Sequence, residues 1–248
     1  MHGGPFLLRI EDIDPGRARE EHVVRIEEDL RWLGLGWDGP VMRQSRRLPL
    51  YAEALERLKA QDLVYPCLCT RADIARSAGA PHGLEGPLYP GTCRTLTSPD
   101  LERPHAWRLD VAKAYAQTGP LAWRDHDRQV EARPQLLGDV VLARKDAPVS
   151  YHLAVTVDDA DQGISHVIRG QDLFLSTHVH RLLQALLGLP TPAYAHHPLL
   201  LGADGERLAK RHGALSLADL RAQGVDPETI VCAFREGRAP LGFRLSAH

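Results

Sequence analysis

Three of the four cysteines fall in one short stretch, Cys67-Leu68-Cys69 and then Cys93, with a loop rich in glycine and proline between them. Two thiolates one residue apart can grip a metal from a tight turn, and a third returning after the loop makes the soft donor set that favours zinc. A structural zinc takes a fourth ligand, for which the stretch offers His82 and Tyr89. On ligand chemistry alone His82 leads, because a phenolate is the less common partner of three cysteines. So small a Gly/Pro-rich stretch needs a staple, since it can hardly build a core of its own.

Other residues could do chemistry at strand ends. Phe6 to Ile10 is an apolar run closing on Glu11, and Ser165-His166-Val167-Ile168 closes on Arg169. Open α/β sheets present ligand-binding groups where strands end. A guanidinium there suits two-point capture of a carboxylate. Lysine occurs only at Lys59, Lys113, Lys145 and Lys210, which draws attention to the basic segment Arg207-Leu208-Ala209-Lys210-Arg211. His178 and His180 stand two apart on an expected helix, hence on different faces, and are given no metal role. Cys232 reads as a small buried hydrophobe, and Asp158-Asp159 as a polar turn that could meet Mg²⁺.

The elements that must position these groups follow from periodicity. After the acidic turn Glu11 to Gly16, Val23, Ile26, Leu30 and Leu33 recur at helical spacing, and a second helix starts at Pro49 with Leu50, Ala54, Leu55 and Leu58. Strand-like pieces are expected at Trp107 to Val111, Asp139 to Ala143, Tyr151 to Val157 and Ile164 to Ile168. A helix with the face Val179, Leu182, Leu183 and Leu186 follows Ser176, stopped by Gly188 and Pro190. Ser216 with Asp219 reads as a capping box, and Asp226-Pro227 as a cap with a first-turn proline.

Composition places the chain among ordinary globular proteins: 248 residues, 44% hydrophobic, 25% charged, formal net charge −2. That balance argues neither for nor against a nucleic-acid partner, so any RNA contact needs a local patch. Apolar runs such as Pro198 to Gly202 are far short of the roughly 20 residues a bilayer helix needs. Met1 leads directly into Phe6-Leu7-Leu8-Arg9 without a signal-peptide pattern, so a cytoplasmic location is expected, where clustered cysteines bind metal rather than form disulfides.

With Arg9-Ile10-Glu11-Asp12-Ile13-Asp14, Cys67-x-Cys69, Tyr151-His152-Leu153-Ala154-Val155 before Val157-Asp158-Asp159, Val167-Ile168-Arg169-Gly170 and Arg207 to Arg211, the chain resembles the glutamyl-tRNA synthetase family. These motifs stand in the family's order and span nearly the whole chain. Within the family it is most similar to the short members that carry a zinc-bearing insert and lack an anticodon-binding domain. The chain ends soon after Lys210, and Tyr89-Pro90-Gly91-Thr92-Cys93 fits the short form's spacing, which moves the fourth zinc ligand from His82 to Tyr89.

The resemblance implies an α/β fold: the Rossmann-like parallel-sheet core of class I synthetases with an inserted module and a short helical C-terminus. Residues 1–64 and 151–215 would form the core, 65–150 the zinc-bearing insertion, and 216–248 the C-terminal helical segment. It further implies a ligase that activates glutamate with ATP and Mg²⁺ without tRNA, then transfers glutamate to the queuosine base of tRNA(Asp), as a monomer with no membrane partner. Glu11 would bind the glutamate ammonium, and Arg169 with the Tyr151 hydroxyl a glutamate carboxylate. Lys210, in a looser form of the family's Lys-Met-Ser-Lys-Ser loop with Arg207, Leu208, Ala209 and Arg211, would neutralise charge on the ATP phosphates. Ala209 stands where that loop has serine.

The family's opening strand with Arg-Phe-Ala-Pro-Ser and its His-Ile-Gly-His-type signature have no counterpart after Met1, so an N-terminally truncated reading frame is expected. Two alternatives follow: a glutamyl-tRNA synthetase fragment that acylates a tRNA 3′ end, or a catalytically silent RNA-binding relic.

Overall fold

The computed structural model describes residues 4–14, 16, 18–76, 82–83, 86–202, 204–205 and 216–246. In chain order they form β1 (Arg9–Ile10), α1 (Glu20–Trp32), β2 (Met42–Arg43), α2 (Leu48–Ala60), β3 (Val64–Cys67), α3 (Arg71–Arg76), β4 (His82–Gly83) and β5 (Gly86–Pro87). Next come β6 (Ala106–Leu109), α4 (Val111–Thr118), β7 (Ala122–Asp125), β8 (Arg128–Glu131), β9 (Val141–Ala143), α5 (Tyr151–Asp161) and β10 (His166–Gly170). The chain finishes with α6 (Phe174–Leu187), β11 (Ala193–His197), β12 (Leu200–Leu201), α7 (Leu217–Ala222), α8 (Pro227–Arg235) and β13 (Arg244–Leu245). None of these helices is long and apolar enough to cross a membrane.

The chain divides into two compact units, one of residues 1–45 with 197–248 and one of residues 46–196. In the first, β1 pairs in parallel with β2, and Leu8, Ile10 and Val23 bury against Leu30, Trp37 and Val41. Asp12 accepts both the amide and the hydroxyl of Ser45, each at 2.8 Å, which pins the turn after β1. Ser216 and Asp219 form the expected capping box on α7, and Asp226 caps α8 ahead of Pro227. Arg221 of α7 bridges Glu28 and Asp29 of α1. Cys232 is exposed, not buried: the inward face of α8 is set by Ile230 and Ala233, and the thiol donates to Glu228 one turn back at 3.2 Å.

Besides the short antiparallel pair β4-β5, the second unit holds an antiparallel sheet in the order β3-β6-β9 and a mixed one in the order β10-β11-β7-β8. β11 pairs with β7 in parallel, and β7 with β8 in antiparallel fashion. The parallel pairing expected of the core is present between β11 and β7 but shares its sheet with an antiparallel pair, because β7 and β8 are joined by a two-residue hairpin at His126-Asp127, a link only antiparallel strands can make. The strand expected at Trp107 to Val111 stops at Leu109, where Asp110 accepts the Lys113 amide and starts α4.

A larger difference lies at Tyr151 to Val157, which is not a strand but the body of α5. Every residue from Leu153 to Asp159 is buried, as in a helix enclosed on all sides, and such a helix shows no polar stripe to betray its period. Nor is Asp158-Asp159 a turn. The fully buried Asp158 carboxylate accepts from the Tyr51 hydroxyl at 2.8 Å and from Arg47 Nε at 2.9 Å, tying α5 to the start of α2.

Candidate functional site

The β10 strand alternates its side chains, so Val167 and Arg169 share one face while Ile168, 67% exposed, takes the other. Val167 packs on the cluster of Trp123, Ala132 and Tyr194. Arg169 follows it inward, with its guanidinium 5.2 Å above the Tyr194 ring. There it meets α6 and α5. Its Nε donates to His196 Nε2 at 3.2 Å, and one terminal nitrogen donates to the Tyr151 hydroxyl at 3.2 Å and lies 3.3 Å from His180 Nδ1. The other terminal nitrogen donates to Thr177 Oγ1 at 2.5 Å and to the Leu173 carbonyl at 3.3 Å.

A guanidinium has five N–H donors and no acceptor. All five are thus met by neutral groups, and among the described residues no carboxylate pairs with Arg169. The cation sits half-buried with its charge uncompensated. A buried charge normally demands a partner of opposite sign, so this geometry suits an incoming carboxylate. Tyr151 and Arg169, 18 positions apart in sequence, are brought into direct contact. His180 and His196, which sequence reasoning did not assign to this site, hold the guanidinium from two sides.

Burial drives both of these histidines toward the neutral form, reinforced for His180 by the adjacent His152 and by Arg169. At His196 the Asp125 carboxylate, 2.8 Å from Nδ1, opposes that drift. Burial and the nearby Arg169 cation lower His152 to about 4. His178, on another face of α6, accepts at Nδ1 from Trp123 Nε1 at 3.4 Å and from the Arg133 amide at 3.2 Å. A signal for part of this site did exist in sequence: Thr177 and His180 are three apart on one helix and so share a face.

The three cysteines converge as expected. Their sulfurs lie within 4.8 Å of one another, and Cys69 and Cys93 are 3.5 Å apart. Thiolates on a tetrahedral zinc at about 2.3 Å would stand roughly 3.8 Å from one another, so the spacing fits such an ion. Cys67 ends β3, and Gly91, at φ +81°, turns the chain so that the Cys93 amide donates to the Tyr89 hydroxyl at 2.8 Å. That hydroxyl is 3.9 Å from Cys69 Sγ, and the Arg108 guanidinium lies 3.9 Å over the Tyr89 ring.

Burial pushes the Cys69 thiol up to about 11 and the Tyr89 phenol upward as well. Burial also opposes the Cys93 thiolate, yet hydrogen bonds from Tyr89 and the Leu68 backbone bring it down to about 7. The Tyr89 oxygen is therefore within reach of the thiol cluster, whereas the His82 side chain lies outside the described residues.

Glu11 follows the end of β1 in the first unit, exposed, with its carboxylate 3.8 Å from Arg9 Nε. Arg207, Leu208, Ala209, Lys210 and Arg211 lie outside the described residues.

Residues 1–240 match the family model "tRNA synthetases class I (E and Q), catalytic domain". Among curated proteins the chain is 48% identical to the glutamyl-Q tRNA(Asp) synthetase of Rhodobacter capsulatus, over 92% of this chain and 87% of that one. It is also 48% identical to the protein of the same name from Symbiobacterium thermophilum, covering 92% of this chain and 75% of the other. A glutamate–tRNA ligase of Geobacter sulfurreducens is 40% identical over 92% of this chain but only 49% of its own length. Among solved structures, a glutamate-tRNA synthetase from Elizabethkingia anophelis superposes with a TM-score of 0.73 at 26% identity, over 92% of this chain and 54% of that one. This chain thus spans about half the length of that structure. The chain belongs to the class I aminoacyl-tRNA synthetase family, within its E and Q group of catalytic domains, and is by that membership a ligase.

Proposed function

We propose that this chain activates glutamate with ATP to glutamyl-adenylate without tRNA, and then transfers glutamate to the queuosine base in the anticodon of tRNA(Asp). The observation that carries the reading is the uncompensated Arg169 cation, which offers a seat for a substrate carboxylate in a chain 48% identical to relatives named for this activity. Tyr151 completes that seat, and Glu11 takes the glutamate ammonium. Lys210, with Arg207, Leu208, Ala209 and Arg211, neutralises the ATP phosphates, with Mg²⁺ accompanying the nucleotide. The enzyme works as a monomer in the cytoplasm.

Cys67, Cys69, Cys93 and Tyr89 would hold one structural zinc, which supplies a staple for residues 65–150 and takes no part in adenylate formation. Residues 1–64 and 151–215 act as the catalytic core and 216–248 as a helical terminus.

Glutamate-dependent ATP–pyrophosphate exchange in the absence of tRNA tests the activation half. The wild-type chain should support it, and Lys210→Ala should lower it on the order of 10²-fold, as loss of a preorganised charge does. A chain without exchange would instead be the silent RNA-binding relic. The 40% identity to a glutamate–tRNA ligase favours one other reading, acylation of a tRNA 3′ end, which the destination of labelled glutamate distinguishes.

A further inference from the structure

The partners of Arg169 fix the proton positions around it, because a guanidinium only donates. His196 must present a bare Nε2, so its proton is on Nδ1, where it donates to Asp125 Oδ1 at 2.8 Å. His180 must present a bare Nδ1, so its proton is on Nε2, which donates to His152 Nδ1 at 3.1 Å. Both assignments agree with the second partner of each ring. The parallel register of β11 on β7, Tyr194 beside Asp125, brings the carboxylate to the far edge of the His196 ring, one imidazole away from the guanidinium.

The choice of residue type matters. An aspartate in place of either ring would bind Arg169 more strongly but would neutralise it and repel a second carboxylate. A protonated imidazole would repel the guanidinium. Only a neutral acceptor holds the side chain still and leaves its charge available. Both rings are 2% exposed, which makes charging them costly.

We propose that His180 and His196 are positioning residues for Arg169, each offering an unprotonated ring nitrogen so that neutral groups orient the cation from two sides and its charge is kept for the ligand carboxylate. Asp125 and His152 act one step further out by fixing which nitrogen of each ring is bare. This deepens the reading of Arg169 as the carboxylate seat and rests on it.

The test is steady-state exchange kinetics with glutamate and ATP varied separately. His180→Phe and His196→Leu should each raise KM for glutamate about tenfold or more, since hydrogen bonds to charged groups are worth that much. KM for ATP should stay within about twofold. His180→Asn and His196→Gln place an amide oxygen near the lost Nδ1 and Nε2 respectively and should recover most of the loss. Folded Phe and Leu variants with unchanged glutamate KM, or with both KM values raised alike, would overturn the proposal.

Arg169→Ala separates the two levels: if it leaves glutamate KM unchanged, the carboxylate seat itself is wrong. If it raises KM while the ring variants do not, only the positioning role fails. Histidine ¹⁵N spectra of the unaltered protein at pH 7 give a reading independent of any variant's folding. They should show His196 neutral and protonated on Nδ1, and His180 neutral and protonated on Nε2. An imidazolium, or the opposite tautomer at either ring, contradicts the proposal.

Discussion

Arg169 Nε and Asp125 Oδ1 are joined through a single imidazole, that of His196, with contacts of 3.2 Å and 2.8 Å on its two sides. The carboxylate is near enough to orient the ring and too far to neutralise the guanidinium directly. Asp125→Ala should therefore release the His196 tautomer and raise glutamate KM severalfold, while Asp125→Asn, which keeps an acceptor oxygen, should fall between. An unchanged KM in the alanine variant would show that the ring is held without the carboxylate.

A second expectation concerns acid stability. Facing one another in this part of the second unit are Tyr151 and His152 from α5, Arg169 from β10, His178 and His180 from α6, Tyr194 and His196 from β11, Asp125 from β7, His126 of the hairpin after it, and Arg133 beyond β8. His152, His178, His180 and His196 all have folded pKa values below 6.5, chiefly through burial. The unfolded chain then binds protons that the folded chain refuses. Their contribution is fully present above pH 6.5 and is lost as pH falls toward the folded values, for His152 from 6.5 to about 4. That ring alone accounts for up to about 3 kcal/mol over the window. Urea midpoints should fall between pH 6.5 and 4, less steeply in His152→Asn. Equal slopes in the two proteins would show that His152 does not set this pH dependence.

The metal reading predicts one zinc per chain by mass spectrometry of the purified protein, lost on Cys69→Ser. Tyr89→Phe should weaken retention and His82→Ala should not, because the Tyr89 hydroxyl already lies 3.9 Å from Cys69 Sγ. The reverse pattern would hand the fourth position to His82.

Asp139 lies beside that cluster, bonded to Tyr65, which packs with Cys67, Tyr89 and Cys93. Its side chain is 2% exposed and accepts from Arg94 and Tyr65, each at 2.5 Å, and from the Val111 amide at 3.0 Å. Asp139→Ala leaves Arg94 and Tyr65 without their shared acceptor and should destabilise the protein by about 3–5 kcal/mol, read from urea unfolding. A cost below about 1 kcal/mol would mean that water replaces the carboxylate.

What could be read from sequence divides along physical lines. Cys67, Cys69 and Cys93 were legible because thiolate spacing is a local property, and Arg169 because a strand end announces itself by the apolar run before it. α1, α2 and α6 were legible from their amphipathic period. α5 was not, since a helix buried all round carries no such period and its Val155, Thr156 and Val157 favour a strand reading. His180 and His196 were missed for another reason. Each alone reads as a core histidine, and only the convergence of α5, β10, α6 and β11 makes them partners of one guanidinium.

Where glutamate ends up separates tRNA modification from aminoacylation. Labelled glutamate, ATP and this protein should be incubated with tRNA(Asp) that carries queuosine and with the same tRNA lacking it, each with its 3′ end intact or removed. Label is expected on the queuosine-bearing RNA alone, undiminished by removal of the 3′ end. Label that requires the 3′ end and ignores queuosine would contradict the proposed transfer and make the chain an aminoacylating enzyme instead.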